Sequence, residues 1–139
     1  MSGEDAHTPA ESIEELSLPA GASMRDYQRY IHLLEEQKGW LSVDLIHNCF
    51  LMGEEVGELF KAVRRQRGYF EERRAEVAEG GAEDGAVQAE EEALRRAEVA
   101  EEIVDVFNYL CAIANRLGVD IEEAFREKNR RNQARTWDE

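Results

Sequence analysis

No apolar run in this 139-residue chain approaches the roughly 18–20 residues that a membrane span needs, so no transmembrane helix is expected. The N-terminal stretch MSGEDAHTPAESIEEL is acidic and lacks the basic and apolar regions of a secretory signal. Cysteine is scarce: Cys49 and Cys111 have no CxxC spacing and lie among apolar neighbours. They read as small buried hydrophobes in a reducing compartment, which makes the cytoplasm the expected location. Basic residues are few, 17 Lys and Arg against 31 Asp and Glu, for a net charge of −14. That excess argues against a nucleic-acid polymer as partner, since such a surface needs a basic stripe. A small phosphorylated substrate remains compatible, because a bound metal inverts the local potential. Sustained strand alternation is absent too, and no serine or cysteine arrangement for a covalent nucleophile is present.

What is there is helical periodicity. Residues 1–22, which carry both prolines, Pro9 and Pro19, read as a flexible acidic leader. Residues 23–139 read as one all-α domain, a four-helix bundle. Ser23 with Asp26 is an N-cap signal, and Met24, Tyr27, Tyr30, Ile31 and Leu34 follow at helical spacing up to Gly39. Ser42 or Asp44 can cap a second helix, running from Ile46 to the basic turn Arg64-Arg65-Gln66-Arg67 and stopped by Gly68. Residues 69–95, rich in Glu and Ala and interrupted by Gly80, Gly81 and Gly85, read as a solvated insertion or a helical arm. Periodicity returns at Val99 and runs through Ile103, Val106, Phe107, Leu110 and Ile113 to Leu117, with Gly118 as the stop. Asp120 and Glu123 then form a capping signal for a last helix.

Two acidic clusters interrupt these apolar faces, Glu54-Glu55-Val56-Gly57-Glu58 and Glu101-Glu102-Ile103-Val104-Asp105. At about 100° per residue, Glu55 falls on the rim of the second helix's apolar arc, with Glu58 one step beyond and Glu54 further out. Glu102 lies at the edge of the third helix's arc, and Asp105 beyond it flanks Tyr109. A carboxylate near a dry seam costs several kcal/mol unless compensated. No Lys or Arg is interleaved with these acids, so a hard divalent cation with oxygen ligands is the cheapest remedy. Glu alone is a good helix former on solvated faces, but two clusters of one shape among Val, Ile, Leu and Phe favour the site. Gly57 suggests the close approach of a neighbour or ligand, since glycine costs a helix about 1 kcal/mol relative to alanine.

This EExxE followed by ExxD resembles the MazG-like branch of the all-α nucleoside triphosphate pyrophosphohydrolases. Lys128, Asn132 and Arg135 match a Lys-x3-Asn-x2-Arg pattern in that family's final helix, so the resemblance covers about residues 24–137. The gap between the acidic motifs is longer than usual for the family, because of the 69–95 segment. The resemblance implies Mg2+-dependent (or Mn2+-dependent) hydrolysis of a nucleoside triphosphate to the monophosphate and pyrophosphate, in nucleotide-pool house-cleaning. Glu55, Glu58, Glu102 and Asp105 would be the metal ligands, and Glu54 or Glu55 would orient or deprotonate the attacking water. It also implies a homodimer or homotetramer. A phosphoribosyl-ATP pyrophosphohydrolase-like enzyme, sharing fold and metal site, is the runner-up.

On the last helix, Ile121, Ala124, Phe125, Lys128, Asn132 and Arg135 follow one stripe that turns from apolar to basic, as a triphosphate-binding face would. Cations near a helix C-terminus are also favourable for the dipole alone, and Arg126, Arg130 and Arg131 fit that simpler role. Trp40 could stack on a nucleobase or be an ordinary core tryptophan. Asn108, on the third helix near the acids, could hydrogen-bond sugar or base or be an ordinary helix-surface amide. A di-iron bundle would need Glu-x-x-His on two helices, and His7, His32 and His47 supply none. A non-catalytic helical oligomerisation or regulatory module whose acids bind structural cations is the alternative from outside the enzymes.

Overall fold

The computed structural model describes residues 17–68 and 82–135. Four α-helices follow one another: α1 (Met24–Lys38), α2 (Leu45–Gln66), α3 (Ala82–Arg116) and α4 (Ile121–Gln133), with a 3₁₀ turn at Trp40–Ser42 between the first two. No strand occurs among the described residues. The chain is therefore all-α, and among the described residues no helix is long and apolar enough to cross a membrane. Most of the acidic leader, residues 1–16, lies outside the described residues, as do 69–81.

The helix ends follow local chemistry. Asp26 accepts the Ser23 amide at 2.7 Å, while the Ser23 hydroxyl accepts the Asp26 amide at 3.3 Å, a complete capping box for α1. Gly39 closes α1 in the left-handed region, φ 72°, where a side chain would be strained. Helix α2 begins at Leu45, one residue after Asp44, while the Ser42 hydroxyl is engaged with the Gly39 carbonyl at 3.2 Å. Asp120 accepts the Glu123 amide at 2.9 Å and opens α4. Helix α3 holds a surprise for the sequence pattern, because it begins at Ala82 and runs through Gly85 without a break. The later part of the Glu/Ala-rich segment is thus the start of the very helix that carries the second acidic motif.

The chain divides into two compact units, residues 1–45 with 111–139 and residues 46–110. In the first, the core comprises Ile31, Cys111, Ala112 and Ala114, with Gln28 and Glu35 buried among them. Gln28 is a hub. Its amide nitrogen donates to Asn115 Oδ1 at 3.1 Å and to the Val119 carbonyl at 2.8 Å, and its Oε1 accepts the Ile121 amide at 2.9 Å. Asn115 donates back to the Gln28 carbonyl at 2.8 Å. Buried amides satisfied this fully tie α1 to the end of α3 and the start of α4.

In the second unit α2 and α3 run antiparallel, since Arg65 late in α2 meets Glu98 at 3.9 Å while Glu55, earlier, at the middle of α2, meets Glu102 and Asp105. Its dry interior is small, with Ala62 and Asn48 buried. Several residues that periodicity assigns to a core are exposed instead, among them Ile46, Phe50 (70%), Phe60 (64%) and Ile103. Cys49, expected to be buried, is exposed with them, whereas Cys111 is buried and its thiol pushed up to about 11 by desolvation. A helix pair cannot cover apolar residues on more than its inner seam, so the outer stripe has no shelter among the described residues of this unit.

Candidate functional site

Helices α2 and α3 each deliver one part of an acidic centre in the second unit. One carboxylate oxygen from each of Glu55, Glu102 and Asp105 lies within 4.8 Å of the other two. Glu55 comes from the middle of α2, whereas Glu102 and Asp105 are one helical turn apart on α3 and so share a face. Glu55 and Glu102 are half-buried and Asp105 is exposed. Among the described residues no Lys or Arg forms an ion pair with any of the three.

Electrostatics follow from that crowding. Burial raises the Glu55 carboxyl above its ordinary range, and the negative charges of Asp105, Glu102, Glu58 and Glu54 push in the same direction. A cation is what such a group lacks. The donor set is all carboxylate oxygen, which suits Mg2+ or Mn2+ rather than softer metals. Oxygen ligands at about 2.1 Å from an ion lie at most about 4.2 Å apart across it. Closing the trio onto one cation therefore needs only rotamer-scale movement, and the residues fit the group.

Glu58, the fourth expected ligand, stands outside this trio. Its carboxylate accepts from Lys61 Nζ at 3.1 Å on the exposed side of α2, although it is near enough for its charge to act on Glu55. Glu54 is exposed, and its charge reaches both Glu55 and Tyr109. Asn108 is half-buried on α3, three residues beyond Asp105 and so on the same side of that helix. Among the described residues nothing from elsewhere in the fold approaches Gly57 closely, for an added Cβ there would meet no atom within 4 Å beyond its own helix backbone.

Tyr109 was absent from the candidate site residues inferred from sequence, yet it belongs to this environment. Its phenol is pushed above its ordinary value, first by desolvation and then by the charges of Glu55, Asp105 and Glu54. The signal was in the spacing, since Tyr109 follows Asp105 by four residues, one turn along the helix. A phenol held neutral beside carboxylates is a hydrogen-bond donor.

The remaining candidates lie in the first unit. Trp40 sits in the 3₁₀ turn with half of its surface exposed (51%). Lys128 is exposed and Asn132 half-buried on α4, and Arg135 follows just beyond the helix end, its amide donating to the Asn132 carbonyl at 3.2 Å. Neither Lys128 nor Arg135 has an ion-pair partner among the described residues. By contrast, Arg126 pairs with Glu122, and Arg130 and Arg131 pair with Glu127.

Comparison with known proteins gives one family. The sequence model of phosphoribosyl-ATP pyrophosphohydrolase matches residues 25–132, which include both acidic motifs and most of α4. No curated protein and no solved structure matches the chain.

Proposed function

Because the chain belongs to the phosphoribosyl-ATP pyrophosphohydrolase family, within the MazG-like all-α superfamily, we propose that it hydrolyses a nucleoside triphosphate to the monophosphate and pyrophosphate. The family makes it a pyrophosphohydrolase, an enzyme of phosphoanhydride bonds. The observation that carries the reading is the meeting of Glu55, Glu102 and Asp105 from two helices with no cationic partner among the described residues.

These three carboxylates would hold the divalent cation, with Glu58 as a fourth donor once it leaves Lys61. When bound, Mg2+ or Mn2+ supplies positive charge to the phosphate oxygens and acidifies a coordinated water. Glu54 or Glu55 would orient the attacking water or accept its proton. Lys128 and Arg135 neutralise phosphate charge, Arg135 by its planar fork and Lys128 as a point charge, and Asn132 adds a neutral donor. Trp40 stacks on the base, and Asn108 contacts sugar or base. No covalent enzyme intermediate is needed.

Two substrate readings share this chemistry. A general or house-cleaning activity on (d)NTPs is the first. Hydrolysis of phosphoribosyl-ATP is the second, favoured by the family match itself. Incubation with a panel of (d)NTPs and phosphoribosyl-ATP in the presence of Mg2+ separates them, with pyrophosphate release as the readout. Release from none of them overturns the enzyme reading in favour of a metal-binding helical module, whose thermal stability would rise with Ca2+ as well as with Mg2+.

A further inference from the structure

Arg116, the last residue of α3, makes contacts unlike those of any other arginine described in the first unit. Its Nη2 donates to Glu35 Oε2 at 2.8 Å and to the Trp40 carbonyl at 3.0 Å, and its Nη1 donates to the Val43 carbonyl. The side chains of Arg116 and Glu35 are only 15% and 8% exposed. Burying an ion pair rarely stabilises a fold more than apolar packing of the same size would. Its specific effect here is geometric: one rigid fork grips both ends of the short segment from Trp40 to Val43.

That segment is held from other directions as well. The Trp40 carbonyl also accepts the Val43 amide at 3.0 Å, and the Ser42 hydroxyl binds the Gly39 carbonyl. Yet the side chain at the front of this heavily restrained turn is an indole left half exposed. A buried charge pair that immobilises the main chain beneath an exposed aromatic ring creates a preorganised stacking platform, because the ring then loses little freedom on contact.

We infer that Arg116, oriented by Glu35, is a positioning residue that fixes the Trp40 turn so that the indole is presented to the planar base of the nucleotide. The inference rests on the reading above, in which the protein takes a nucleoside triphosphate and Trp40 meets its base. Arg116 itself touches no substrate and acts through Trp40. Neither acidic motif is involved, so its contribution falls on binding rather than on the chemical step.

The test uses the full chain carrying Trp137→Phe, which leaves Trp40 as the single tryptophan. Arg116→Lys keeps the charge but cannot serve three acceptors in one plane, and Glu35→Gln keeps the shape but removes the counter-charge. Both should lower the fluorescence anisotropy of Trp40. Arg116→Lys should raise KM about tenfold with kcat within about twofold, the size of a weakened base–aromatic stack. In a Trp40→Ala background the same substitution should add nothing to KM.

Unchanged Trp40 anisotropy in Arg116→Lys, or an equal rise in KM with and without Trp40, overturns the inference. If Trp40→Ala leaves KM unaltered in an enzyme that turns over, the base-platform reading fails and takes the inference with it. If the parent protein turns over no triphosphate, quenching of Trp40 emission by α,β-methylene ATP decides instead. Quenching that Arg116→Lys weakens about tenfold supports the positioning role, and no quenching overturns it.

Discussion

Glu55 is the residue on which the site's electrostatics turn. Its carboxyl is raised above the ordinary value by desolvation and by four like charges, so ionising it opposes folding. The metal-free protein is therefore favoured below Glu55's ordinary value of about 4.3, and that advantage is lost as pH rises through its folded value. Glu55→Gln should raise the metal-free melting temperature at pH 7, with the difference vanishing in acid, and it should abolish the gain that Mg2+ gives the parent. Pyrophosphate release should fall by at least about a hundredfold, the usual contribution of a positioned proton acceptor. Loss of folding in this variant would point to a structural role for the acid. Tyr109 gives a second residue-scale test. If its neutral phenol donates a hydrogen bond to a charged group in the site, Tyr109→Phe should cost about tenfold in kcat/KM with the melting temperature little changed. An unchanged kcat/KM would leave Tyr109 as packing alone.

At the scale of elements, the helix ends were legible and the interior ties were not. Ser23-x-x-Asp26, Gly39, Gly118 and Asp120-x-x-Glu123 are local signals, each satisfied by atoms three or four residues away, so sequence order alone reveals them. The start of α3 at Ala82 was hidden because Gly85 and the solvated Glu/Ala composition suggest an interruption, and a long helix tolerates one glycine. The Gln28–Asn115 hub and the Glu35–Arg116 pair join residues 80 or more positions apart, with 87 between Gln28 and Asn115 and 81 between Glu35 and Arg116. No periodicity argument reaches that far. The caps also carry a pH dependence. Asp120 is held below its ordinary value by the Glu123 amide and by Arg25, and Asp26 by the Ser23 hydroxyl and amide. A depressed carboxyl contributes stability above its unfolded pKa and loses it as pH falls through its folded value. Asp120→Asn, which can still cap but does not titrate, should therefore be less stable than the parent at pH 7, and the gap should close below about pH 4. A gap that persists unchanged into acid would show that Asp120 acts by shape and not by charge.

At the scale of the molecule, exposed apolar surface is the dominant fact. Phe50, Phe60, Ile46 and Leu94 on the second unit, and Phe125 and Leu117 on the first, are each more than half exposed. Scattered single hydrophobes need no explanation, but so many on one small helix pair motivate the prediction of an interface between copies. The protein should be a homodimer or homotetramer, and light scattering at micromolar concentration should give a multiple of the 15.9 kDa chain mass. A monomeric mass would refute this. Phe50→Glu should shift the assembly toward smaller species.

The all-α class and the two acidic motifs were determined by the sequence alone. They depend on residue type and on spacings of three and four along a helix, which local geometry converts directly into faces. Tertiary structure decided which acids converge. Glu55, Glu102 and Asp105 meet, whereas Glu58 turns toward Lys61, because a carboxylate within one turn of an ammonium pairs with it when its helix face is wet. The folded chain likewise revealed that Tyr109 shares the acids' field, that Arg116 grips the Trp40 turn, and that half of the expected core is an outer surface. Those outcomes depend on which helices face one another and how much area each can cover, and neither quantity is written in any one segment of chain.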